Sequence, residues 1–145
     1  MTVDGMIAEL EQAYDTYRRD LEACEKKRKP TDGLFGLGKA VQDDPCHTRF
    51  DECVAEIAGR MCASGASAED AASALRILLA RPDAESWPLS AQWMLRAAER
   101  HALPLIPFLT PEAAGVLART YAARYKPWDR LPVQKQVLRA LKEKA

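Results

Sequence analysis

No stretch of this sequence alternates apolar and polar residues with a period of two, and no run approaches the ~18 apolar residues of a membrane span. The first absence argues against half-buried strands, and with them against sheets and barrels. The second argues against a membrane-spanning helix. The opening MTVDGMIAELEQ lacks a basic stretch followed by an apolar one, so no secretory signal is expected there. None of the four cysteines stands in a C-x-x-C spacing, and there are only two histidines and no H-E-x-x-H. Cysteines without a secretion signal are expected as thiols in a reducing cytoplasm. Prolines (9) and glycines (7) are few, which argues against a disordered or fibrous chain.

What is present is helical period. With 145 residues, 48% of them hydrophobic and 29% charged, the chain suits one domain with a core of its own. Val3, Ile7, Leu10, Tyr14, Tyr17, Leu21 and Cys24 recur at alternating steps of four and three, the seam of a long helix over 1–29. That seam either completes the core or forms a dimer contact. Lys26 to Lys29 followed by Pro30 close it. A long glycine-rich loop is expected over 30–44, and a helical core over 45–145.

Asp44-Pro45 reads as the start of a second helix, with Cys46, Phe50, Cys53, Val54, Ile57 and Met61 on one face and a stop at Ser64-Gly65. Ser67 and Asp70 form the pattern of a capping box before a third helix, with Ala71, Ala74, Leu75 and Leu78 inward. Pro88 opens a fourth, which runs to His101. The apolar stretch from Leu103 to Leu109 is broken by two prolines and reads as a buried turn. Thr110-Pro111 starts a fifth helix, with Ala114, Leu117, Tyr121 and Tyr125 inward, and Pro132 a sixth, striped by Val133, Val137, Leu138 and Leu141. The fold class is therefore all-α, a compact bundle of about six helices. SAEDAA at 67 and TPEAAG at 110 share a way of starting helices more than a common repeat.

The segment DGLFGLGKA at 32–40 matches the phosphate-loop pattern at Gly33, Gly38 and Lys39 but has Ala40 where a magnesium-binding hydroxyl belongs. Its flank EKKRKPT is too charged for the buried strand such a loop needs, so no nucleotide cofactor is expected. Leu34, Phe35, Leu37 and Lys39 are instead candidates for an interaction surface. Cys46 and Cys53 share a face, but seven residues separate them by about 10 Å, too far for two thiolates on one zinc. His47 and Asp51, four apart, suit an ion pair or a weak metal site.

Cys46 near a helix start has the setting of a lowered thiol pKa, with His47 and His101 as candidate bases, though His47, next in sequence, points to another face. Charge is uneven: residues 119–145 carry 8 Lys/Arg against 2 Asp/Glu, while residues 1–118 carry 13 against 19. Tyr121, Tyr125 and Trp128 lie among Arg119, Arg124, Lys126 and Arg130, a composition able to stack single-stranded bases. The reading these features favour is a non-enzymatic protein–protein interaction or self-association module. Its alternatives are a small enzyme or ligand binder with a pocket between 30–47 and 101–109, and nucleic-acid binding through the basic tail.

Overall fold

A computed structural model of the protein describes residues 3–27, 45–80 and 86–145. Six α-helices and no strands are present among the described residues: α1 (Val3–Lys27), α2 (Pro45–Ala63), α3 (Ala68–Leu79), α4 (Leu89–Ala98), α5 (Pro111–Arg124) and α6 (Pro132–Lys144). The glycine-rich segment expected over 30–44 lies outside the described residues, and so do Leu34, Phe35, Leu37 and Lys39.

Local chemistry sets the boundaries. Gly65, at φ 68°, ends α2 in the left-handed conformation that glycine adopts without strain, and the Ala66 N–H reaches back to the Met61 carbonyl at 3.2 Å. Ser67 then caps α3: its Oγ accepts from the Asp70 N–H at 3.1 Å and donates to the Asp70 carboxylate at 2.8 Å. Thr110 caps α5 by accepting from the Ala113 N–H at 3.2 Å.

The fourth helix departs from expectation. Its α-helical part stops at Ala98, and the chain tightens into a 3₁₀ segment, Glu99–Phe108. Pro104 and Pro107 within it have no N–H to donate, so the α ladder cannot continue through them. Ala102, Leu105 and Ile106 are buried, which agrees with a buried turn and not a strand. This segment packs chiefly against α2, α3 and α6.

The α1 stripe completes the protein's own core. Leu10, Tyr14, Tyr17 and Leu21 are buried within the single chain, packed mainly on α2, and Ile7 is half-buried. The side chains of Val3 and Cys24 lie outside the described set. Tyr17 stacks on Phe50 with centroids 4.3 Å apart, Tyr14 meets the edge of Phe50 at 4.9 Å, and Trp87 closes the cluster 5.6 Å from Tyr17. One stripe position reads differently: Cys53 is exposed, at the edge of the α1–α2 contact and not within it. No described helix is long and apolar enough to cross a membrane.

Candidate functional site

α1 and α2 run antiparallel, because Glu9 pairs with Arg60 at 3.0 Å while Asp20 pairs with Arg49 at 3.7 Å. Between these two cross-links lies a cleft of about 640 Å³. Ala13, Tyr17, Cys46, Phe50 and Ile57 form its floor, and the rim is Gln12 and Thr16 from α1 with Cys53 and Glu56 from α2. The floor is apolar because it is the outer edge of the stripes that hold the two helices together. The rim is polar because it lies one helical step off those stripes. From Glu9 to Asp20 the cleft follows α1 for about 16 Å, three helical turns.

The sequence candidates are placed as follows. Cys46 is 1% exposed, a core residue at the cleft floor. His47 is buried and turned away from the cleft lining; its Nδ1 shares a 2.5 Å hydrogen bond with the Tyr17 hydroxyl, and its ring lies 5.5 Å from Trp93. Asp51 is engaged elsewhere than with His47. Its Oδ1 bonds His101 Nε2 at 2.9 Å and its Oδ2 accepts from Arg100 at 2.6 Å. Both carboxylate oxygens of Asp51 are thus occupied by contacts reaching across the fold. No group of three or more His, Cys, Asp or Glu side chains among the described residues is arranged to hold a metal ion.

Cys53 is the thiol that faces the cleft rim. Partial burial pushes its pKa up, Glu56 and Glu9 add to the rise, and Arg60 opposes it. It is therefore a poor nucleophile at neutral pH. The pocket expected between 30–47 and 101–109 falls largely on residues outside those described.

A second polar constellation was not legible from local pattern. Glu99, 1% exposed, accepts from Tyr125 at 2.7 Å, from Tyr121 at 2.9 Å and from Gln134 at 2.7 Å, with Arg124 3.5 Å away. Burial pushes its carboxyl pKa up, while the bonds from Tyr125 and Gln134, the Arg124 charge and the Tyr121 bond pull it down. Both tyrosine hydroxyls are pushed well above the ordinary phenol value, first by burial and then by the Glu99 charge. The signal in the sequence is a polar residue on an apolar stripe: Glu99 lies four residues after the buried Leu95, and Gln134 one turn before Val137 and Leu138.

This network changes the reading of the basic tail. Tyr121 and Tyr125 are interior, Arg124 donates to the Leu79 carbonyl, and Arg130 donates to the carbonyls of Tyr125 and Ala122 at 3.0 and 3.1 Å. Of the aromatic residues thought able to stack bases, Trp128 is the exposed one. Compared with known proteins, the chain matches no protein-family model, no curated protein and no solved structure.

Proposed function

We propose that this chain is a cytoplasmic, non-enzymatic interaction module that receives an amphipathic helix of a protein partner in the α1–α2 cleft. The observation that carries this reading is the cleft itself: an apolar floor three turns long, closed at each end by an ion pair between the walls. A helix laid there would bring apolar anchors at i, i+3 or i+4, and i+7 onto Ala13, Phe50 and Ile57. Thr16 and Cys53 on the rim are small side chains that permit close approach. The end pairs are partly exposed, so each holds the walls by only about 0–1 kcal/mol and can re-pair with charges on the incoming helix.

Catalysis is less well supported. His47 and His101 are held by Tyr17 and Asp51, neither lines the cleft, and the thiol at the rim is biased toward its protonated form. The test is selection from a displayed library of amphipathic helical peptides. Binders should be lost when the rim is filled by Thr16→Trp or Cys53→Trp, both exposed positions, and kept in Trp128→Ala. Binders indifferent to both rim substitutions would refute the reading.

A further inference from the structure

Trp128 is 84% exposed, yet the turn that carries it is firmly tied. The Asp129 carbonyl accepts from Arg96, the Asp129 N–H donates to the Lys126 carbonyl at 2.9 Å, and Arg130 donates to the Tyr125 carbonyl at 3.0 Å. The Leu131 N–H donates to Gln134 Oε1 at 3.1 Å. A large apolar ring is thus displayed to solvent on a backbone with little freedom left to lose. That combination of rigidity and apolar area characterises anchor residues of protein interfaces.

Leu131, 49% exposed, follows three residues later and starts a line of exposed positions along α6. Lys135, Arg139 and Lys142 follow at steps of four, four and three, all exposed. Each step of four advances about 6 Å, so the line from Leu131 to Lys142 is about 16 Å long. Among the described residues none of these three cations is in an ion pair, and they border a shallow hollow of about 400 Å³.

We propose that this surface docks an acidic amphipathic segment of a protein partner, with an apolar side chain against Trp128 and Leu131 and carboxylates along Lys135, Arg139 and Lys142. The charge of the surface selects the partner: Lys135, Arg139 and Lys142 stand exposed around one hollow, against Glu143 as its one carboxylate. A nucleic-acid strand fits less well. Its bases would find one exposed aromatic, since Tyr121 and Tyr125 are buried on Glu99. This surface is separate from the α1–α2 cleft and does not depend on it.

The test uses the full chain and three labelled probes at low salt: a 12-residue helical peptide of Glu with Leu and Phe anchors, its Glu→Lys counterpart, and a 12-nucleotide oligo-dT. Binding is read by fluorescence anisotropy. The acidic peptide should bind, weaken with added salt, and lose about tenfold or more in affinity on Trp128→Ala and on Lys135→Glu/Arg139→Glu. All substituted positions are exposed, and circular dichroism checks that the fold is kept. Failure of the acidic peptide to bind overturns the proposal, as does binding unchanged by those substitutions. Tighter binding of the oligonucleotide than of the acidic peptide assigns the surface to nucleic acid and overturns it equally.

Discussion

Removing the Tyr125 hydroxyl tests the buried network at its strongest bond. Tyr125→Phe keeps the ring, which lies between the guanidiniums of Arg96 at 4.7 Å and Arg124 at 5.1 Å, and deletes only the 2.7 Å hydrogen bond to Glu99. A hydrogen bond to an ionised group contributes about 1.5–3 kcal/mol, and leaves its partner underbonded when removed. In a domain of this size, melting temperature falls by about 3–4 °C per kcal/mol, so a drop of roughly 5–10 °C is expected near neutral pH.

The pH dependence follows from the raised Glu99 pKa. The folded state holds the Glu99 proton more tightly than the unfolded chain, whose carboxyl titrates near ~4.3. Its favourable contribution is therefore full below that value and is lost as pH rises through the folded pKa. Tyr125→Phe pushes the folded pKa higher still, so the substitution should cost more at pH 7 to 8 than at pH 4 to 5. Glu99→Gln should remove this component of the slope altogether. Urea midpoints of the three proteins across that pH range decide the matter. A Tyr125→Phe cost under about 0.5 kcal/mol at neutral pH, or a Glu99→Gln slope equal to that of the parent, would refute the reasoning.

Other expectations concern packing, backbone and the rim thiol. Leu10→Ala, at a position 1% exposed, should cost about 2–5 kcal/mol by urea unfolding, with a midpoint independent of protein concentration because the α1 seam is packed within its own chain. Gly65→Ala meets no atom within 4 Å, so its cost, about 1 kcal/mol in a thermal melt, is that of placing a Cβ at φ 68°, and Gly65→Asn should cost less. Cys53 should react with iodoacetamide more slowly at pH 7.5 than an unstructured cysteine peptide, and Glu56→Gln should speed it, as read by peptide mass spectrometry.

The helices were legible because each carries its own evidence within a few residues: a stripe at period 3.6 and a marker at the end, such as Ser67 with Asp70, Gly65, or Thr110. Even the tightening of the chain near Leu103 was foreshadowed by its prolines. Long-range partners were not. His101 meets Asp51 across fifty positions and Tyr17 meets His47 across thirty, and no local spacing encodes either bond. Cys53 shares a stripe with Phe50 and Ile57 and so reads as inward, but that stripe is wider than the line on which α1 rests, and its edge forms a rim. No local spacing encodes the cleft, because its walls are the polar flanks of two helices whose pairing only the fold reveals.

The most direct measurement of the central claim is amide chemical-shift mapping of the ¹⁵N-labelled protein titrated with a selected amphipathic helical peptide. The largest shifts should fall on Gln12, Ala13, Thr16, Cys53 and Ile57, the two walls and floor of the α1–α2 cleft. Shifts concentrated on α5 and α6, with those cleft residues unmoved, would contradict it.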